Sequence, residues 1–213
     1  MNISAVKSFV PAFLLLFGGQ SLAHQPVLVG KDAIVIEKPA ISRAFYDELK
    51  GRPRTYRIIA EAEFDLYINL LVPKNTNPLG RYSARVYQLT GNDRLPLAEI
   101  NGNASDWKKF YEPFGGDTYL KGPEYKQRVV AGQYEIDVFS SDDLGKYVLA
   151  VGEKESFGPK EIAQVYVAIP QLKSEFFHSN PLGFFITPFG IVFVLVFGAV
   201  VYLTVKKIGN GHA

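Results

Sequence analysis

An acidic cluster is the first place in this sequence where chemistry could occur. Asp137, Asp142 and Asp143 fall within the stretch DVFSSDDLG, and Ca²⁺ prefers oxygen ligands such as their carboxylates. A calcium loop, however, spaces its acids alternately and ends on a bidentate carboxylate, and this stretch lacks that order. Serine and aspartate side chains also bond the local backbone in turns. The sequence therefore favours a solvated hairpin loop, with a calcium site as the alternative.

The histidine at position 24 is the second candidate. His24 becomes the first residue if the chain is cut after Ala23, and its amine and imidazole could then chelate copper. A copper site of this kind needs a second histidine, and His178 is the other one expected on the same side of the membrane. The simpler interpretation is a cleavage site that leaves histidine by chance, and copper binding is the alternative.

A group of aromatic residues between positions 107 and 125 is the third candidate. Aromatic side chains with polar neighbours can stack on sugar rings or anchor a protein partner. They can equally pack inside a β-domain, and packing is the favoured interpretation. The candidate binding residues are Trp107, Phe110, Tyr111, Phe114 and Tyr119.

Motifs of the common enzyme classes are missing from the sequence. It contains no G-x-S-x-G, H-E-x-x-H or P-loop motif and no cysteine. We therefore predict no enzymatic activity and no cofactor. A formal net charge of +2 over 213 residues gives no basis for nucleic-acid binding. The alternative function is a metal-dependent or carbohydrate-active surface enzyme that uses His24 or the acidic loop.

The first residues predict export. Lys7 precedes an uncharged run from Ser8 to Ala23, and its most apolar part is too short to cross a bilayer. Small residues at positions 21 and 23 suit cleavage before residue 24. We therefore predict a signal peptide over residues 1–23, with an uncleaved anchor as the alternative.

The other end of the chain predicts a transmembrane helix. Residues 182–205 carry no charge, and at about 1.5 Å per residue they are long enough to span a bilayer. Lys206 and Lys207 follow, and the positive-inside rule places them in the cytoplasm. This topology puts residues 24–181 outside the cytoplasmic membrane and leaves residues 206–213 as a short tail.

The region between these two segments is predicted to be mainly β. Apolar residues alternate most clearly over residues 64–73, where the strand ends at a turn-rich segment. Residues 39–51 carry apolar side chains at an i, i+4, i+8 spacing and predict a short helix. Further strands are predicted over residues 55–62, 82–89, 125–130, 134–139, 146–151 and 163–170.

This pattern predicts a jelly-roll or immunoglobulin-like β-sandwich with a short helix near its start and one C-terminal transmembrane helix. Three segments, FDLYINLLVP, VVAGQYEIDV and GKYVLAVG, resemble successive strands of the bacterial prepeptidase C-terminal (PPC-like) family over roughly residues 55–152. The matching residues are Gly132, Tyr134, Ile136 and Val138, then Gly145, Tyr147, Leu149 and Val151. The resemblance implies a small extracytoplasmic β-sandwich that serves as an accessory, carbohydrate-binding or partner-binding module. It implies no catalytic role.

The sequence as a whole predicts a membrane-anchored sandwich that acts as a non-catalytic binding or accessory module of the cell envelope. Its expected partners are the lipid bilayer, through residues 182–205, and an envelope protein or a glycan.

Overall fold

The computed structural model describes residues 24–30, 33–156 and 158–210, which form a sandwich of two β-sheets followed by helices. The predicted signal peptide and the last three residues lie outside the described residues. The strands are β1 (Gln25–Leu28), β2 (Ile34–Ile36), β3 (Arg43–Lys50), β4 (Arg54–Ala60), β5 (Phe64–Pro73), β6 (Ser83–Thr90), β7 (Asp93–Ile100), β8 (Lys108–Glu112), β9 (Asp117–Val129), β10 (Gly132–Phe139) and β11 (Leu144–Val151). The helices are α1 (Pro159–Glu175), a 3₁₀ helix (Pro181–Ile186) and α2 (Pro188–Asn210).

The two sheets divide the strands between them. The six-stranded sheet has the order β1-β3-β11-β5-β9-β8, and the five-stranded sheet has the order β2-β4-β10-β6-β7. Inward side chains of both sheets form one apolar core, as the alternation of side chains along a strand requires. The prediction of a mainly β protein built as a sandwich is confirmed.

Tyrosines fill much of this core, and their hydroxyls are hydrogen-bonded. Tyr56 and Tyr147 are buried between the sheets, and both hydroxyls donate to Asp47 Oδ2, at 2.9 and 3.3 Å. Tyr134 donates to the carbonyl oxygen of Val130 at 2.8 Å. A buried phenol is stable in a core only when its hydroxyl finds such a partner. The tyrosines that carry the family resemblance therefore have a structural role here.

The helix predicted over residues 39–51 is wrong, because this segment forms β3. The residues that suggested a helix, Ile41, Phe45 and Leu49, are separated by even numbers and therefore also share one face of a strand. On the opposite face, Ala44 and Tyr46 are buried beneath α1. A strand that is covered on both faces does not show a clear alternation of apolar and polar residues.

The strand predicted over residues 163–170 is also wrong, because this segment lies inside α1. Its β-branched residues raised its strand propensity, but Val165, Ile169 and Leu172 recur at helical spacing and are buried on one helix face. The helix begins after Gly158, whose amide donates to Glu161 Oε2 at 3.0 Å. Packing of this apolar face outweighs the weak local preference.

The acidic loop joins two sheets and does not close a hairpin. β10 pairs with β4 and β6 in one sheet, whereas β11 pairs with β3 and β5 in the other. Gly145 lies at this crossing, where a Cβ atom would stand 2.8 Å from the Tyr82 hydroxyl. Turn residues between two strands show where the chain reverses, but they do not show whether those strands pair with each other.

The C-terminal apolar segment is divided in two. Residues 181–186 form the 3₁₀ helix, and the long helix begins at Pro188, a first-turn position where proline is favoured. Among the described residues, one helix is long and apolar enough to cross a membrane, and its candidate span is Pro188–Ile208, 21 residues. Its side chains are exposed from Val194 to Ile208. The prediction of an apolar C-terminal helix of spanning length is confirmed, with a start six residues later.

Candidate functional site

A cavity of about 100 Å³ lies between the outer face of the six-stranded sheet and α1. Its floor is formed by outward side chains of the sheet, such as Tyr46 from β3, Leu71 from β5 and Val148 from β11. Ile169 and Leu172 of α1 form its roof. The alternation that sends Phe45 into the core turns Tyr46 outward, so the cavity is a direct product of strand geometry.

Glu112 is a carboxylate at the end of β8 that lines the cavity. Its two oxygens accept hydrogen bonds from the backbone amides of Phe114 and Gly115, each at 2.7 Å. Burial raises the pKa of Glu112 to about 7, and the nearby charge of Asp117 acts in the same direction. The two amides and Lys173 oppose this rise in pKa. Glu112 can therefore exchange its proton near neutral pH.

Asp117 and Lys173 form an almost fully buried ion pair beside Glu112. Lys173 Nζ, from α1, donates to both carboxylate oxygens of Asp117, at 3.0 and 3.1 Å. The side chains are only 7% and 10% exposed. Burial raises the pKa of Asp117, whereas Lys173 lowers it. This pair fixes α1 on the sheet at one register.

Two tyrosine hydroxyls meet on the cavity wall. Tyr46 Oη and Tyr119 Oη are 3.0 Å apart, and both side chains are buried. Burial raises the pKa of each hydroxyl well above its ordinary value. Both residues therefore stay neutral phenols, which offer donor and acceptor groups and aromatic faces but no charge.

His24 stands at the edge of the same cavity. Its Nδ1 is 2.6 Å from the hydroxyl of Ser42. Burial lowers the pKa of His24 to about 4, and the positive charge of Lys121 lowers it further. Ser42 is fully buried, whereas His24 is only partly buried and lines the cavity. His24 is a neutral hydrogen-bonding group at physiological pH.

Four of the residues singled out from the sequence meet at this cavity: His24, Phe110, Phe114 and Tyr119. Trp107 instead packs against the core, with its Nε1 donating to the carbonyl oxygen of Gly102 at 2.8 Å. Tyr111 is more than half exposed and does not line the cavity. For Trp107 the structure favours the packing interpretation.

The acidic residues of the loop are committed to local bonds. Asp142 Oδ1 accepts from the amide of Leu144 at 3.2 Å, and Asp143 Oδ1 accepts from the amide of Ser140 at 3.0 Å. Asp137 points elsewhere and pairs with Arg94 at 2.6 Å. Within residues 24–30, 33–156 and 158–210, no group of three or more histidine, aspartate or glutamate side chains is placed to hold a metal ion. The loop arrangement favours the turn interpretation over a calcium site.

The second histidine that a copper site would need lies at the end of α1. His178 Nε2 is 2.9 Å from Lys146 Nζ, which also donates to the carbonyl oxygens of Glu175 and Phe176. Lys146 therefore caps the last carbonyls of α1 and ties the helix end to β11. The structure does not bring His178 to His24.

No protein-family model matches the sequence, and no curated protein matches it. Among solved structures, the pre-peptidase C-terminal domain of a collagenase from Bacillus anthracis is a neighbour at 11% sequence identity and a TM-score of 0.35. The match covers 58% of this chain and 96% of that domain. Membership of the family that the motifs resemble therefore stays a prediction, and the sandwich is established by its own two sheets.

The charged part of the cavity was missed from the sequence. Glu112 lies within an aromatic stretch, where an acid before a proline and two glycines is a sequence signal for a capped turn. Asp117 and Lys173 are 56 positions apart in the chain and carry no shared motif. Only the packing of α1 on the sheet brings them together.

The two shifted groups predict a distinctive pH profile. The folded pKa of Glu112 lies above its ordinary value, so this residue lowers the free energy of unfolding as pH rises from 4.5 to about 7. The folded pKa of His24 lies below its ordinary value, so this residue lowers that free energy as pH falls from 6.5 to about 4. Each effect amounts to about 3 kcal/mol, and the two oppose each other in the shared window.

We therefore expect single substitutions to separate the two effects. Relative to the parent, Glu112→Gln should gain stability as pH rises from 4.5 to 7, and His24→Gln should gain stability as pH falls from 6.5 to 4. Melting of the full chain in detergent, followed by the fluorescence of Trp107, measures both profiles. Glu63→Gln, an exposed acid in an ion pair with Arg128, is the matched control. Profiles that run parallel to the parent would refute these two assignments.

Proposed function

We propose that the protein is a single-pass protein of a cytoplasmic membrane that holds residues 24–181 outside the cell or in the periplasm. The sandwich serves there as a non-catalytic binding or accessory module of the envelope. The apolar helix followed by Lys206 and Lys207 supports this topology. The candidate span, Pro188–Ile208, contains these two lysines at its end, and its uncharged part, residues 188–205, is about 27 Å long as a helix, close to a hydrocarbon core about 30 Å thick.

The observation that carries the proposal is the junction between sandwich and helix. The apolar helix begins inside the fold, where Phe184 and Thr187 are buried. Phe189 of α2 packs on Phe114 of the β8–β9 loop, with ring centroids 4.4 Å apart. Phe193 stacks on Tyr166 of α1 at 4.0 Å. The sandwich and α1 therefore pack directly against the start of α2, without a free linker between them.

Exposed apolar side chains beside this junction agree with a membrane surface at that point. Val167 of α1 and Leu182 and Ile186 of the 3₁₀ helix are 71%, 65% and 80% exposed. Large apolar side chains that gather around the start of a membrane helix find a partner in the interfacial region of the bilayer. A sandwich seated in this way presents its cavity and its free surfaces at a fixed height above the membrane.

The absence of cysteine from the sequence makes the topology directly testable. Single cysteines are introduced as Tyr111→Cys on the sandwich and Lys207→Cys after the membrane helix. An impermeant maleimide applied to intact spheroplasts should label position 111 at once and position 207 only after lysis. Ala150→Cys, a fully buried position, is the control that should stay unlabelled until the protein is denatured. Labelling of position 207 from outside, with position 111 protected, would refute the proposed topology.

A further inference from the structure

When Glu112 is ionised, the described side chains around the cavity carry one negative charge that no positive charge balances. Glu112 and Asp117 supply two carboxylates, and Lys173 is the ammonium in contact with Asp117. Lys121 lines the cavity but pairs with Glu124 at 2.9 Å in a largely exposed ion pair. His24 is neutral. An ionised Glu112 therefore leaves one negative charge that a bound cation would balance.

The walls of the cavity suit an organic cation. Tyr46, Phe110 and Tyr119 line it together with Glu112, and aromatic faces attract a cation within about 6 Å. The cavity volume of about 100 Å³ is several times the minimum of about 10–15 Å³ that one water molecule requires, so a small group can enter. The space is therefore large enough for an ammonium group with a short alkyl stem.

We propose that this cavity binds a small primary ammonium group, held by the Glu112 carboxylate and the phenol oxygens and enclosed by the aromatic walls. A primary ammonium brings three donors, which match a carboxylate and two hydroxyl acceptors. The inference rests on the proposed role as a binding module, but it does not depend on the membrane topology.

Two sources can present this group: a free small amine, or the amine headgroup of a phospholipid. The second source is within reach because Phe114 lines the cavity and also packs on Phe189 at the start of the membrane helix. The cavity therefore lies close to the expected bilayer surface. The shared chemistry is the ammonium, and the experiment separates the sources.

Binding of an ammonium group beside Glu112 should weaken in acid. Glu112 is surrounded by Asp117 and Tyr119 from β9, Tyr46 from β3 and Lys173 from α1. The tyrosines stay neutral, and Asp117 stays paired with Lys173. Since burial raises the pKa of Glu112 to about 7, its ionised fraction rises about tenfold between pH 6 and pH 8. The affinity for an ammonium should rise by a similar factor.

The test uses the full chain in a maltoside detergent and titrates it with ethylammonium, with ethanol as the uncharged control. Calorimetry should show saturable binding of ethylammonium, about tenfold tighter at pH 8 than at pH 6, and no binding of ethanol. Glu112→Gln should weaken binding at least tenfold and remove its pH dependence, whereas Glu99→Gln on the other sheet should change neither. Phe110→Leu should weaken binding about threefold through the lost aromatic face.

Bilayer discs separate the two sources. If the lipid headgroup is the source, discs of phosphatidylethanolamine should suppress ethylammonium binding, and discs of phosphatidylglycerol should not. If a free amine is the source, both discs should leave the binding unchanged. Equal response to ethylammonium and ethanol, or full binding by a folded Glu112→Gln variant, would overturn the inference. If either of these outcomes occurs while maleimide labelling gives the expected topology, the ammonium inference fails and the membrane proposal still holds.

Discussion

Replacement of Lys173 by methionine is expected to cost about 3–5 kcal/mol of folding free energy, among the largest effects of any single substitution in this chain. Lys173 Nζ donates to both oxygens of Asp117, and both side chains are almost fully buried. Methionine keeps the length of the side chain but leaves the Asp117 charge without its partner. A charge that is buried and unpaired is far more costly than the original pair.

A second substitution should recover most of this loss. The double variant Lys173→Met with Asp117→Asn removes both charges, so its melting temperature should lie well above that of Lys173→Met alone. Lys121→Met is the matched control, because it breaks an exposed ion pair with Glu124 and should cost less than about 1 kcal/mol. The fluorescence of Trp107 reports melting in each variant. If Lys173→Met were no more costly than Lys121→Met, the buried pair would not hold α1 on the sheet.

The strands were predictable where one face is buried and turn residues follow. β5 extends over Phe64–Pro73, the same bounds that its alternation and the following turn indicated. β3 and α1 were not predictable by periodicity. β3 is covered on both faces, and an i, i+4, i+8 pattern fits a helix and a strand alike. α1 carries β-branched residues whose helical state depends on packing against the sheet.

The pairing of strands was beyond the reach of local sequence. The sequence indicates a reversal of the chain at residues 140–143, but β10 and β11 lie in opposite sheets. Which strand a segment pairs with depends on contacts far away in the chain, such as that of β11 with β3, about a hundred residues earlier. A turn signal alone does not contain that information.

The candidate site was predictable only in its aromatic part and in His24. Phe110, Phe114 and Tyr119 stood out because they are clustered, and they do line the cavity. The charges that give the cavity its chemistry come from three separate elements. Their types are common on any protein surface, so burial, which the sequence does not show, distinguishes them.

The second large effect is expected at Gly190, near the start of the apolar helix α2. A Cβ atom at this position would overlap the carbonyl oxygen of Phe184 in the backbone of the 3₁₀ helix. The same turn is fixed by Thr187, whose Oγ1 accepts from the amide of Gly190 at 3.1 Å and donates to the carbonyl oxygen of Phe184 at 2.8 Å. Gly190→Ala should therefore displace the start of α2 from its packing against the 3₁₀ helix. The expected loss of folding free energy is about 3 kcal/mol.

Gly198 provides the matched control for this substitution. It lies in the same helix, and a Cβ atom there would meet nothing within 4 Å. Gly198→Ala should therefore leave the melting temperature and the position of the helix unchanged. Gly190→Ala should lower the melting temperature and shift the helix. Equal behaviour of the two variants would show that the helix is not packed against the 3₁₀ segment.

We propose that the sandwich and the apolar helix α2 form one rigid unit, which the distribution of distances between them can test. Nitroxide labels are placed at Leu95→Cys on the sandwich and Tyr202→Cys on α2, two exposed positions in a chain without native cysteine. Pulsed electron paramagnetic resonance in bilayers should give one narrow distance distribution. Gly198→Ala should leave this distribution unchanged, and Gly190→Ala should broaden it. A broad distribution in the parent chain would show that a flexible segment joins the sandwich to the helix, and it would refute the rigid unit.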